Sequence, residues 1–588
     1  MLPRLRVKPA TALRATLAAG YSKSDLRADV MAGLVVGVVA LPLSMALAIA
    51  SGVPPQHGLY TAIIAGALIA ALGGSRVQVS GPTAAFVVLL APVAARYGVG
   101  GLCVASVIAG VMLVAMGAAG FGSLLQFVPH PVTTGFTAGI AVVIGTLQVK
   151  DFLGLTVEHM PEHFIERVVA LGHAAHTARL ADLLIGAFTL AVLIVWPRID
   201  KRLPAPLVAL TLGALAAFAA THLIDGITID TIASRFTYVV DGVTKHGVPQ
   251  APPLPVLPWL LPGADGAPLG LSLQLLRDIL PSAFAIAMLG AIESLLSATV
   301  ADGMIGAKHD SNAELLGQGI GNIVAPFFGG FAATGAIART ATSVRSGARS
   351  PIAAMTHALF VLAAVLVIAP LVGYLPMASL AALLLIVAWN MSEVRHFGHI
   401  LRVAPRADVV VLLACFVLTV VFDMVISVTA GVMLAALLFM RRMADISGGR
   451  LEESHSPTHG PLPKGVLHYS IDGPLFFGAA QKAMGALHDV ARTARVVIIE
   501  VADVPAMDAT GLVALESALA KLWKDKAKVI IAGAQAQPRA VLERAGLVPE
   551  AGKLKYTATL GEAIEAARAA VAAVPQSQPP HVEPNQPV

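Results

Sequence analysis

Long apolar runs separated by short polar or proline-bearing segments fill positions 30–442. A bilayer-crossing helix needs about 20 apolar residues, fewer where a broken half-helix lines a cavity. On that measure the pattern predicts spans near 30–51, 58–73, 82–96, 101–119, 127–148, 181–196 and 203–222. After a proline-rich polar stretch over 225–265 it predicts spans near 279–298, 313–330, 338–347, 352–370, 376–391, 407–423 and 424–440. Seven spans are thus followed by seven more. Spans three and ten hold the same place in their halves. Both are short, and both follow helix-breaking residues, Val79-Ser80-Gly81-Pro82-Thr83 and Ala332-Ala333-Thr334-Gly335-Ala336. Matching interruptions in two halves of odd span number predict an inverted repeat of the transporter type, with a solute held between the broken segments near the bilayer midplane.

Beyond Arg442 the period changes. Positions 466–471, 495–501 and 528–532 read as strands, 509–522 and 539–545 as helices. Alternation of this kind predicts a small α/β domain with a parallel or mixed sheet. The expected organisation is a cytoplasmic N-terminal segment 1–29, a transmembrane domain 30–442, a linker 443–463, the α/β domain 464–573 and a disordered tail 574–588 rich in proline.

Composition narrows the class. Charged residues are 13% of the chain, against roughly 25% in a typical globular protein, and hydrophobic residues are 56%. So little charge cannot cover a water-facing surface, and a soluble enzyme, a nucleic-acid binder, collagen and a disordered chain all fit poorly. No phosphate-binding loop of the Gly-x-x-x-x-Gly-Lys form occurs, which leaves an ATP-driven pump unsupported.

The distribution of the net charge of +5 sets the orientation. Basic residues in short loops mark the cytoplasmic side, and the N-terminal segment carries Arg4, Arg6, Lys8, Arg14, Lys23 and Arg27. With that end inside, the segments after even-numbered spans should be basic. They carry Arg76; Arg198, Lys201 and Arg202; Lys308, Arg345 and Arg349; Arg395, Arg402 and Arg406; and Arg441 and Arg442. The loop 120–126 has no charge and says nothing. Cys103 and Cys415 both fall inside apolar spans, far apart in sequence, and read as buried free thiols. The histidines show no ligand spacing, so no metal is assigned.

Each broken span presents a helix N-terminus, where unpaired N–H groups and the macrodipole amount to about half a positive charge. Two such ends facing each other would hold an anion. The candidate donors are the backbone at Thr83, Ala84, Ala85 and Phe86 and at Ala338, Arg339 and Thr340. The alternative is that Gly81-Pro82 and Gly335 merely kink helices for packing. An Arg339 guanidinium facing lipid would cost several kcal/mol, so it must face protein, water or solute: as counter-charge to an oxyanion, in an ion pair with Glu293, or snorkelling toward the cytoplasm. Glu293, a single acid in an apolar run, is a candidate proton carrier. Ser297, one helical turn on, could help it bind a proton, water or sodium. Gly33-x-x-x-Gly37 and Gly317-x-Gly319-x-Gly321 fit close helix packing.

Several segments resemble the sulfate permease (SulP) family of anion transporters. They are Leu41-Pro42-Leu43-Ser44 with Gly52-Val53-Pro54-Pro55-Gln56-His57-Gly58-Leu59-Tyr60, Gly74-Ser75-Arg76, Val79-Ser80-Gly81-Pro82-Thr83, Gly317-Gln318-Gly319 and Pro326-Phe327-Phe328-Gly329-Gly330. Gly473-Pro474-Leu475-Phe476-Phe477 and Met507-Asp508-Ala509-Thr510-Gly511-Leu512 resemble the family's C-terminal STAS domain. The resemblance covers nearly the whole chain. It implies an α-helical fold of fourteen spans, with spans 1–4 and 8–11 as core and the rest as gate, and a cytoplasmic STAS domain that supports a homodimer and leaves room for a cytoplasmic protein partner. Many members carry Gln after the proline of the first span, where this chain departs with Leu43-Ser44. No side-chain amide contact to substrate is therefore expected there, and Ser44 is the candidate substrate-binding residue of that segment. Ala509 stands where phosphorylatable STAS domains carry Ser, so no phospho-switch is expected.

Within the family, the segments 148–155, 288–296 and 387–393 are most similar to bacterial C4-dicarboxylic acid transporters. That implies proton-coupled uptake of succinate, fumarate or aspartate across the inner membrane, with no cofactor. Two other readings stay open: the same machine moving sulfate or bicarbonate, with sodium as a further coupling ion, or a membrane-anchored scaffold whose STAS domain binds partners.

Overall fold

The computed structural model describes residues 8–572 except 124–127, 158–159, 162, 201–202, 241–242, 423, 453–454, 457–459, 477–479, 485–486 and 488–493. Arg4, Arg6, the loop 124–126, Lys201, Arg202 and the tail 574–588 lie outside the described residues. The chain divides into two compact units, 1–433 and 434–588.

The first unit is helical. A short α1 (Thr11–Ala18) precedes α2 (Lys23–Ala50), whose start is fixed by a capping box between Ser22 and Asp25. Then come α3 (Pro55–Leu72), the two-residue strand β1 (Ser80–Gly81), α4 (Ala84–Ala118), α5 (His130–Leu153), α6 (Phe164–Ala174), α7 (Leu180–Ile199) and α8 (Ala205–Leu223). A single turn, α9 (Ile232–Arg235), leads into a hairpin of β2 (Thr237–Val240) and β3 (Val243–His246). The second half follows with α10 (Leu273–Ile305), α11 (Ser311–Val324), β4 (Thr334–Gly335), α12 (Ile337–Arg345), α13 (Ile352–Val372), α14 (Met377–Ser392), α15 (Val394–Val403), α16 (Arg406–Val421) and α17 (Met424–Ile446).

Every expected span falls on a helix, but the count needs qualification. Among the described residues, ten helices are long and apolar enough to cross a membrane. The other expected spans are the second part of α4 and the shorter helices α11, α12 and α16. Spans three and four run on as α4, broken at Gly98, where φ is 68° and ψ −168°. Gly98 lies against the Gly263 backbone, so a side chain there is excluded by space as well as by conformation. The pattern did not predict α6 or α15.

The helices sort into two packed groups. α13 packs on α2 and α3, as α4 packs on α10 and α11, which is the contact pattern of an inverted pair. These six helices, with α12, form the core. The other group centres on α5, packed against α14 and α16, with α7 against α8 and α14. Small residues let the core helices approach closely: a Cβ on Gly110 would stand 2.7 Å from the Gly319 carbonyl oxygen, and one on Gly319 equally close to that of Gly110. Cys103 and Cys415 are buried free thiols.

At one end of the core, Asp29 of α2 is fully buried and accepts the Arg349 and Ser350 backbone N–H groups at 2.6 and 3.1 Å, the Ser350 hydroxyl, and the Tyr21 hydroxyl at 2.7 Å. Four donors satisfy what would otherwise be a costly buried charge.

The second unit holds a five-stranded sheet in the order 554–557, 528–532, 496–500, 466–472, 448–452, parallel except for the last pair. The expected strands and helices are present. The linker is corrected: Gly448–Glu452 is a sheet strand, joined antiparallel to Val466–Asp472. It escaped notice because Gly448-Gly449-Arg450 carries no alternating apolar pattern. Helix Ala509–Lys524 is capped by Asp508, which accepts the Gly511 N–H at 2.7 Å.

Candidate anion site

The two broken segments meet as an antiparallel ribbon. Ser80 pairs with Gly335 and Gly81 with Thr334, and the Ala336 N–H donates to the Val79 carbonyl at 2.9 Å. α4 starts three residues after β1 ends and α12 two residues after β4 ends, so the two helices leave opposite ends of a ribbon only two residues long and both N-termini stay close to it.

Neither end is capped by a side chain. Ala336, the N-cap of α12, has no side-chain acceptor. Thr83 could cap α4 but donates its hydroxyl to Glu293 Oε2 at 3.0 Å instead. The first-turn N–H groups of both helices therefore keep their donor capacity.

Arg339 is 2% exposed and donates through Nη2 to the Pro82 carbonyl, while Nε and Nη1 have no partner. A Cβ on Gly81 would stand 2.6 Å from Nη1, so the glycine makes room for the guanidinium. The ion pair with Glu293 that the sequence left open does not form: Arg339 and Glu293 attach to neighbouring residues, Pro82 and Thr83.

Beside α12 lies a cavity of about 450 Å³. Val36 and Leu43 of α2 and Ala338, Arg339 and Thr342 of α12 line it together with Leu193, Pro197, Pro206, Ile386 and Asn390 of the other helix group. A buried guanidinium with two unpartnered donors beside a mostly apolar wall, which also carries Thr342 and Asn390, is suited to holding an oxyanion.

Several expected positions need correction. Thr340 is not a backbone donor to solute, because its N–H bonds the Ala336 carbonyl at 2.8 Å. The helix begins one residue earlier than the pattern implied, so its free turn is Ile337, Ala338 and Arg339. The Thr340 hydroxyl accepts the Val79 N–H at 3.1 Å and lies 3.2 Å from the Ser297 hydroxyl, so both side chains brace the ribbon. Ser44 is fully buried with no partner for its hydroxyl, and its neighbour Leu43 lines the cavity, since adjacent residues on a helix point about 100° apart. Thr83, Ala84, Ala85 and Phe86 are buried outside the cavity wall.

The sequence missed a second polar cluster. Glu314 of α11, 2% exposed, accepts the N–H groups of Gly74 and Ser75 at 2.9 and 3.0 Å and the Gln78 amide at 3.0 Å, and Gln78 also bonds Ser294 at 2.8 Å. The signal was a lone acid in the apolar run 313–330, of the same kind that drew attention to Glu293.

Residues 26–415 match the model of the sulfate permease family and residues 461–563 that of the STAS domain. YvdB of Bacillus subtilis (strain 168), whose name gives sulfate transport as a provisional assignment, is 39% identical over 538 residues, 91% of this chain and 97% of that protein. The bicarbonate transporter BicA of Picosynechococcus sp. (strain ATCC 27264 / PCC 7002 / PR-6) is 28% identical over 556 residues, 88% and 91% of the two chains. The structure of SLC26A9 superposes with a TM-score of 0.81 over 95% of this chain and 92% of that one, at 17% identity, a likeness of fold. The chain thus belongs to the sulfate permease family: it is a membrane-embedded anion transporter with a C-terminal STAS domain, not an enzyme.

Proposed function

We propose that this transporter takes up C4-dicarboxylates such as succinate, fumarate or aspartate together with protons, by alternating access across a bacterial inner membrane. The cavity between the two helix groups carries this reading. Its apolar wall suits a short carbon chain, and the free Arg339 donors suit one terminal carboxylate. The uncapped ends of α4 and α12 supply further positive potential. Glu293, held by Thr83 at the α4 end, is the proton carrier, with Ser297 on the same helix face. The N-terminus and the STAS domain are cytoplasmic, and the working unit is a homodimer.

A second reading, transport of bicarbonate or sulfate with sodium near Glu293 and Ser297, is favoured by the names of BicA and YvdB. Counterflow in proteoliposomes with labelled fumarate, bicarbonate and sulfate separates the two, with and without sodium and a pH gradient. Fumarate counterflow without a gradient, and net fumarate accumulation driven by an inward proton gradient, are expected. Flux of the inorganic anions alone would overturn the substrate assignment, and sodium-dependent uptake indifferent to the pH gradient would overturn the coupling ion.

A further inference from the structure

The inverted repeat places an amphipathic helix at each membrane face, and the two differ in charge. α6 follows α5, and α15 follows α14, the partner of α5 in the other half. Asp151 near the end of α5 pairs with Arg235 at 2.5 Å, and the Met377 N–H at the start of α14 bonds the Asp230 carbonyl at 2.8 Å. The end of α5 and the start of α14 therefore share one face. Since α15 leaves the opposite end of α14, α6 and α15 lie on opposite faces.

Both helices expose apolar side chains where a soluble protein would not: Ile165, Val168 and Val169 on α6, Val394 and Leu401 on α15. On α6 the polar side is mixed, with Glu166 and His173. On α15 it is wholly basic. Arg395, His399 and Arg402 fall within about 60° of one another on the helical wheel and are all exposed, while Phe397 on the other side packs on Phe416 of α16 at 5.5 Å. The helix contains no acid, and Arg395 and Arg402 form no ion pair among the described residues. A left-handed Glu393 (φ 42°) turns the chain out of α14, and Pro405 starts α16, so α15 is confined between two membrane helices. The exposed Trp389 at the end of α14 belongs to a residue type enriched at membrane interfaces.

We propose that α15 is an interfacial lipid-binding helix whose basic face, Arg395, His399 and Arg402, engages the phosphate headgroups of anionic lipids in the leaflet on that side. Its apolar side sits at the acyl boundary, and the charge row meets the headgroups above it. The mixed charge of α6 gives no such preference, so the repeat uses one structural element twice with two surface chemistries. This assignment does not depend on which anion is carried.

The test uses the full chain in vesicles of phosphatidylcholine doped with spin-labelled phosphatidylglycerol or spin-labelled phosphatidylcholine. The wild type should select phosphatidylglycerol, and R395Q/R402Q should lower that selectivity by about fivefold or more. The exposed K245Q, on the other face, should leave it unchanged. Equal selectivity in wild type and double variant overturns the proposal. If the double variant does not fold, a nitroxide at H399C decides, because Cys103 and Cys415 are buried and unreactive competitors. Relaxation by nickel-chelating headgroups places the label at headgroup depth if the proposal holds. A label in bulk water would leave α15 as a surface for a protein partner and would also overturn it.

Discussion

Arg339 and Glu293 reach adjacent residues of the chain without touching each other: the guanidinium donates to the Pro82 carbonyl, and the carboxylate accepts the Thr83 hydroxyl at 3.0 Å. The charge that would receive an anion and the group that would carry a proton are thus joined through a single peptide unit at the mouth of α4. A solute that draws the guanidinium away from Pro82 also disturbs the support of Glu293.

Replacing Arg339 tests the first half of that link. Arg339→Gln removes charge-assisted hydrogen bonds of about 1.5–3 kcal/mol, so the apparent affinity for the transported anion should fall by about tenfold to a hundredfold. Counterflow at varied substrate concentration reads this as a raised half-saturation. An unchanged value would remove Arg339 from the solute-binding set.

Gly81→Ala should mimic that loss without touching charge. The new Cβ would stand 2.6 Å from Arg339 Nη1 and displace the guanidinium. Substrate-induced thermal stabilisation should disappear while the protein keeps its elution profile in detergent.

Glu293→Gln should retain counterflow, which needs no net driving force, and lose accumulation under a pH gradient. Full accumulation by this variant would place the coupling elsewhere.

Glu314→Gln should lower thermal stability. The new amide group would have to face the Gly74 and Ser75 N–H groups or the Gln78 amide, donor against donor, at a cost of about 1–3 kcal/mol. A depressed melting temperature with little change in substrate half-saturation would mark Glu314 as an anchor of the chain before β1.

Tyr21 gives a pH signature. Burial, and then its hydrogen bond to Asp29, raise its hydroxyl from 10.0 to about 12. A raised value in the folded protein means that the stabilisation is present below pH 10 and lost as pH rises through about 12. Tyr21→Phe should cost about 0.5–1 kcal/mol in the lower range. The melting curves of variant and wild type should converge above it.

Much of this architecture was legible because membrane spans declare themselves by composition. The paired breaks at Gly81-Pro82 and Gly335 also located the ribbon, since glycine and proline act on the backbone locally. Thr340 was misplaced for a different reason: α12 begins one residue earlier than the pattern implied, which alters which N–H groups are free. Glu314 and Gln78 were illegible because their partners lie more than 200 residues away. α15 was read only as a basic loop, because Val394, Phe397 and Leu401 are too few to register as a span.

The register of Ser80 with Gly335 also has a meaning for biosynthesis. The first repeat can enter the bilayer as the ribosome delivers it, but its strand has nothing to hydrogen-bond to until residue 335 has emerged. A nascent chain halted before that point has neither the ribbon nor the guanidinium that lines the cavity, so this carrier becomes able to recognise its cargo late in translation and all at once.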